Sequence, residues 1–310
     1  LEFNYTRTFK KPGKKFTIDG QYDFWNSTKD FNIQRRTITP DNGDYSVIDT
    51  KSNRGNDDIV IQSDFVTPLS ETANLEVGVK VEHRLISTDF AADEEVNGTL
   101  QPIDGFNNGL DYREQILGAY AQYGDKINKF SYQLGLRTEY TSIEIKDQNT
   151  RGILTDSTYT RLFPSVNLSY AFSEKSTFHL NYSQRINRPN LLQLNPFPEL
   201  QDFNSRIFGN IKLRPSLTDG IELSLLSKTK KWVLNPSVYY SKTRNNFQYF
   251  TSQNEDDIFE TVLINLDSES RFGVELSAQY TPEKWLSLNA VLNAYSFDQK
   301  GNAGTTNLDY

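Results

Sequence analysis

The feature that most constrains this chain is a period-2 alternation of apolar and polar residues, sustained for longer than an ordinary strand. Phe130, Tyr132, Leu134, Leu136 and Tyr140 fall on one face of a run, with Ser131, Gln133, Gly135, Arg137 and Glu139 on the other. Phe272, Val274, Leu276, Ala278 and Tyr280 alternate in the same way with Gly273, Glu275, Ser277 and Gln279. So do Leu75, Val77, Val79 and Val81 with Glu76, Gly78 and Lys80. Successive side chains of a strand point to opposite faces, so each run reads as a strand between two unlike media. About twelve such segments are present, and no helix is expected. Strands of soluble proteins average about five or six residues. The runs over 130–146 and 258–281 are far longer, and a tilted strand needs about 9–11 residues to cross a bilayer.

The connections alternate short and long. Short ones fall at 10–14, 68–73, 124–129, 173–175, 229–231 and 282–284. Long ones are expected over 40–55, 89–109, 148–158, 187–213, 251–256 and from 299 onward. An up-and-down sheet sends alternate connections to opposite ends, so one rim carries tight turns and the other long loops. That asymmetry belongs to outer-membrane barrels, whereas a β-sandwich mixes its loop lengths. Phe16, Phe130, Tyr132, Tyr170, Phe172, Trp232, Tyr280 and Trp285 cluster beside the short turns, where an aromatic girdle at a membrane interface would lie.

Composition supports a wall more than a packed core. Apolar residues are 36% of the chain and aromatics 13%, a combination suited to two faces in different solvents. No stretch approaches the 18 apolar residues of a spanning helix; the longest near-apolar run is Ile116 to Ala121. A chain that crosses a membrane without such a helix must do so as a closed barrel. A net charge of -7 excludes a general nucleic-acid binder, and the absence of Cys removes thiol and disulfide chemistry. Residues 1–5 read as strand pattern already under way and 305–310 read as a cut end, so the chain is taken as an internal part of one barrel domain, 1–310, without plug, signal peptide or C-terminal strands. Two features fit the alternation poorly. Both faces of Ile116–Ala121 are apolar or small, and Pro164, Pro215 and Pro236 fall where a strand start or bulge is expected.

No catalytic constellation is found, and no enzyme activity, cofactor or metal is expected. His83 and His179 lack ligand-spaced partners and read as satisfied strand residues. The oxygen-rich 53–58 lacks the spacing of a calcium loop and reads as a solvated loop, as do the acidic clusters 93–95 and 255–257. Nothing supports a glycosidase carboxylate pair or a nucleophile elbow.

The most distinctive stretch runs from Tyr182, Ser183, Arg185, Arg188 and Pro189 through Leu194, Asn195, Pro196 and Phe197 to Gly209, Asn210, Leu213 and Pro215. In these residues the chain resembles the TonB-dependent receptor barrels of the outer-membrane protein β-barrel family of Bacteroidetes type, with Phe163, Pro164, Ser165, Tyr239, Tyr240 and 273–276 in agreement. Ile211 departs from the proline expected after Gly-Asn. The resemblance implies an all-β, antiparallel, up-and-down transmembrane barrel of about 22 strands around a plug, of which about twelve are here. It implies the outer membrane of a Gram-negative bacterium, contact with lipid and lipopolysaccharide, a TonB-type energising protein acting through the plug, and surface lipoprotein or other subunits as further partners. Arg185, Arg188, Asn195, Phe197 and Asn210 are the candidates for shaping a loop that faces a ligand. The Arg-Pro and Asn-Pro pairs equally suit a role in fixing loop geometry alone.

Three readings follow. The first is a receptor barrel importing a nutrient such as a metal chelate, glycan or peptide. The second is a non-transporting structural barrel within a larger complex. The third is a soluble β-sandwich adhesion or carbohydrate-binding module.

Overall fold

The computed structural model describes residues 1–36, 38, 45–202, 204–304 and 306–309. Its strands are β1 (Glu2–Thr8), β2 (Lys15–Arg36), β3 (Tyr45–Pro68), β4 (Asn74–Val96), β5 (Thr99–Pro102), β6 (Asn108–Ile127), β7 (Phe130–Asp147), β8 (Ile153–Ser173) and β9 (Ser176–Asn187). A helical turn, α1 (Leu191–Leu194), precedes β10 (Glu199–Asp202), β11 (Ser205–Phe208), β12 (Ser216–Lys228), β13 (Trp232–Gln253), β14 (Phe259–Glu283), β15 (Leu286–Lys300), β16 (Asn302–Ala303) and β17 (Thr306–Asn307). The long strands form one antiparallel sheet in chain order, β1-β2-β3-β4-β6-β7-β8-β9-β12-β13-β14, with β15 beside β14. These are the twelve wall strands read from the alternation.

The side chains settle which face is which. In β7 the outward residues Leu134 and Leu136 are half-exposed, and Ile145 on the opposite face is fully buried. The phase inverts along β7 and along its neighbour β6. Towards the short turns the outward face is apolar and the inward face polar. Towards the long loops Ser142, Glu144 and Lys146 point outward, while Thr141, Ile143 and Ile145 are buried inward. β6 repeats this: Leu117, Ala119, Ala121 and Tyr123 are outward below, Asp111 and Arg113 outward above, and Leu110 and Tyr112 are buried inward. The uncertain run Ile116–Ala121 therefore resolves. Leu117, Ala119 and Ala121 share the outward face, and Ile116, Gly118 and Tyr120 line the inside.

The short connections match the expected turns. They use Gly13 (φ 77°) and Asn128 (φ 56°) where the backbone must turn left-handed. The long side differs from expectation, because strands overshoot the apolar band and consume the loops. The described part of the expected 40–55 loop is strand, as are 53–58 and 93–95; 40–44 lie outside the described residues. The loop at 89–109 holds the β4–β5 hairpin, turned at Asn97 and Gly98, and 255–257 do form a turn. Two prolines also correct the reading. Pro215 precedes β12, but Pro164 pairs with Leu136 and Pro236 with Leu276 inside continuous ladders without a shift of register. Beside Pro236 the β12–β13 pairing lapses between Ser224–Ser237 and Ser227–Leu234 and resumes in the same alignment. His83 is not a satisfied residue, since its buried Nδ1 has no partner.

The sheet curves, and its own contacts show it. β11 pairs in parallel with Phe259–Val262 of β14, while Glu199 on β10 pairs with Arg54 on β3 at 3.0 Å. β3 and β14 are eight strand steps apart in the sheet, roughly 38 Å along a flat surface at the usual strand spacing. Two short strands bridge them, so the wall is bent round an interior.

Candidate lumenal site beneath a folded loop

The loop between β9 and β12, residues 188–215, does not stand up from the rim. It folds across the inner face. Asn190 caps α1: its Oδ1 accepts from the Gln193 N–H and the Gln193 Oε1 accepts from the Asn190 N–H, both at 3.0 Å. Leu191 and Leu194 drop from this turn into a cluster with Leu110, Tyr112, Ile143, Ile145, Leu213 and Leu263. That cluster explains the phase inversion: the upper inward face is apolar because it is covered by the loop and not by water. A second cluster, Ile48, Ala92 and Phe106, takes Leu200 of β10, and the Arg206 guanidinium lies 5.3 Å from the centre of the Phe106 ring.

The motif residues lock the loop to itself. The Asn195 carbonyl accepts from the Gly209 N–H and the Gln193 carbonyl from the Asn210 N–H, each at 2.7 Å. A Cβ at Gly209 would lie 2.5–2.7 Å from the backbone of Asn195 and Gln193, so only glycine allows this approach. The Asn195 side chain accepts from the Phe197 N–H at 3.0 Å, Phe197 packs against the first cluster, and Asn210 Nδ2 donates to the Leu263 carbonyl at 3.1 Å. Asn195, Phe197 and Asn210 therefore build the loop. Arg185 and Arg188 face the interior.

Beneath the loop, a recess of about 600 Å³ opens on the inner wall, lined among others by Tyr120, Arg137, Glu139, Phe163, Arg185 and Arg188. Arg188 donates to Glu139 and to Thr141 Oγ1 at 3.2 Å. Arg137 pairs with Glu139 at 2.8 Å and lies 4.8 Å from the Phe163 ring centre. The Arg185 side chain makes no hydrogen bond or ion pair among the described residues. Nearer the loop, Arg84 holds three carboxylates, with Asp58 at 2.8 Å, Glu114 at 3.1 Å and Glu82 at 3.4 Å. Glu114 is buried, and such a carboxylate persists as a charge only when paired. No group of three or more potential metal ligands occurs among the described residues. Sequence reading missed the Arg84 network and the helical turn. The alternation could place Arg84, Asp58 and Glu114 inward, and Asn190 with Gln193 three residues on is the signature of a capped turn.

The model of the outer membrane protein beta-barrel family matches residues 7–310. The chain belongs to that family. It is an outer-membrane protein, and its sheet is part of a transmembrane barrel. No curated protein sequence matches. Solved structures share the fold. The ferric citrate transporter FecA in the unliganded form superposes with a TM-score of 0.67 at 13% identity, over 99% of this chain and 43% of its own. The copper transporter OprC gives 0.71 at 12% identity, over 97% and 46%. The ferric yersiniabactin uptake receptor FyuA from Yersinia pestis gives 0.61 at 10% identity, over 96% and 42%. The chain thus spans less than half the length of each of these structures. The sandwich reading is overturned by this match and by the curved single sheet. The family agrees with the resemblance read from Tyr182 to Pro215.

Proposed function

We propose that this family member forms part of the wall of an outer-membrane receptor that takes up a nutrient through its lumen, energised by a TonB-type protein, and catalyses no reaction of its own. One observation carries the reading: the loop from Arg188 to Pro215 folds inward, tied to β3 at Arg54 and to β14 through β11, and its first residue, Arg188, lines a recess of the inner wall together with charged strand side chains. A structural barrel that binds partners through its loops would present them outward. The neighbouring structures named as transporters and uptake receptors support the same reading by fold. Metal chelates, glycans and peptides are the candidate cargo classes. Lipopolysaccharide on the loop side and surface lipoproteins are the further partners proposed.

The test is genetic. Strains lacking the full-length protein, lacking TonB, or lacking both are grown in media each limited in one nutrient. The expected result is at least one medium in which both single deletions grow equally poorly and the double deletion grows no worse. If loss of this protein has no effect in any medium where loss of TonB is costly, the receptor reading fails and the structural barrel replaces it.

A further inference from the structure

The two rims of the wall differ in charge as sharply as in loop length. The six short turns with their flanks, 9–15, 68–74, 125–130, 173–176, 228–232 and 281–285, hold eleven lysines and four carboxylates. Eleven against four leaves +7 on this rim, in a chain whose formal charge is -7. The rest of the molecule therefore carries twice the whole chain's negative charge.

These lysines are free. All but Lys14 are exposed, and none of the eleven makes an ion pair among the described residues. Their contacts are with neutral groups. Lys11 Nζ donates to the Pro68 carbonyl, Lys129 Nζ lies 3.5 Å from the Phe172 carbonyl, and the Lys14 ammonium sits 5.0 and 5.4 Å from the Phe9 and Phe65 ring centres. On the inner wall, by contrast, Lys80, Arg84, Arg137 and Arg188 each have a carboxylate partner. Directly above the lysines stand the girdle rings. Trp232 stacks on Tyr280 with centroids 4.0 Å apart, Phe172 lies 5.3 Å from Phe178, and Trp285 is 82% exposed. Such rings settle where hydrocarbon gives way to headgroups. Lysines one to four residues from them along the chain lie at headgroup depth, with stems long enough to place the ammonium among phosphates.

We propose that the short-turn rim is a binding belt for the headgroups of anionic phospholipids. A belt of uncompensated ammonium groups on five of the six turns matches an extended anionic surface, whereas an acidic protein partner would need its countercharges gathered at one place. The partner is thus a lipid with a net negative phosphodiester headgroup, in the leaflet the turns face.

The experiment uses the full-length protein reconstituted with phosphatidylglycerol or phosphatidylcholine carrying brominated acyl chains, which quench nearby tryptophans. Subtracting the signal of a Trp232→Phe/Trp285→Phe variant isolates the rim. At low salt, quenching is expected to favour phosphatidylglycerol by about fivefold or more, the weight of a single lysine at an anionic surface. The ratio should fall towards one in roughly 1 M salt, where such charges are screened within about 3 Å. Lys228→Gln/Lys230→Gln/Lys231→Gln should lower it, and the matching Arg substitutions should restore it, with heat-modifiable migration confirming that each variant is folded. Equal quenching by the two lipids at low salt overturns the proposal and leaves the rim to an acidic protein. A preference that survives high salt, or that the Gln substitutions do not change, overturns it as well.

Discussion

Within β7, the stretch Phe130–Tyr140 and the stretch Thr141–Asp147 obey the same period and opposite rules. In the first, apolar side chains point outward and remain exposed to the surroundings, while Gln133, Arg137 and Glu139 point in. In the second, Glu144 and Lys146 point out, and Ile143 and Ile145 are sealed inside against Leu191 and Leu194. The strand geometry is continuous, so the difference lies in the medium on each side. Below, hydrocarbon is outside and a polar lumen inside; above, water is outside and a folded loop inside. A membrane wall is thus not apolar-out along its length. The height at which it inverts marks the edge of the bilayer.

The comparison can be broken from above first. Ile145 is fully buried, so Ile145→Ala should cost about 2–5 kcal/mol, the range for truncating a buried aliphatic side chain. The check is the denaturant midpoint of the full-length protein in vesicles, and a change near zero would mean that the loop does not cover this face. From below, Leu136→Arg should cost about 2–4 kcal/mol if Leu136 lies near the bilayer midplane. Glu144→Arg on the same outward face should cost about 1 kcal/mol or less, because position 144 already stands in water and its pairs with Lys146 and Arg113, at 2.9 and 3.8 Å, are solvent-screened. Equal costs for these two in the same assay would abolish the boundary drawn between them.

The loop itself gives a smaller effect. Gly209→Ala should detach the Gly209–Asn210 segment from Asn195 and Gln193, at about 1–3 kcal/mol for the backbone groups left unpaired. Faster proteolysis within 188–215, with heat-modifiable migration retained, is the expected readout. The smallest effect is electrostatic. The Asn204 N–H and the Ser205 hydroxyl, at 2.7 and 2.8 Å, hold the Asp202 carboxyl below the usual carboxylate range. A depressed value in the folded state stabilises the β10–β11 hairpin above about pH 4, the ordinary aspartate value. That support is lost as the pH falls through the depressed value. Pepsin cleavage near 199–208 should therefore rise at the acid end for the native sequence, while Asp202→Asn should show no such pH step.

Much of this architecture was legible beforehand, for a local reason. Alternation is a nearest-neighbour property, so residues 130–140 alone place Leu134 and Leu136 on one face, and the lysine-bearing short turns declare themselves between alternating runs. The motif from Tyr182 to Pro215 announced the family, but its residues did not reveal that Asn195 and Gly209 meet each other, or that Phe197 packs inward. Extrapolating the loops from polar composition failed at 45–58, because polar residues on both faces are compatible with a strand once it leaves the membrane. Strand faces, hairpin order and the two unlike rims follow from sequence, since each depends on residues a few positions apart. The pairing of Arg188 with Glu139, of Arg54 with Glu199 and of β11 with β14 joins groups 49 to 145 positions apart. Those contacts exist only because the sheet bends, and its curvature is a property of the whole assembled wall that no single segment encodes.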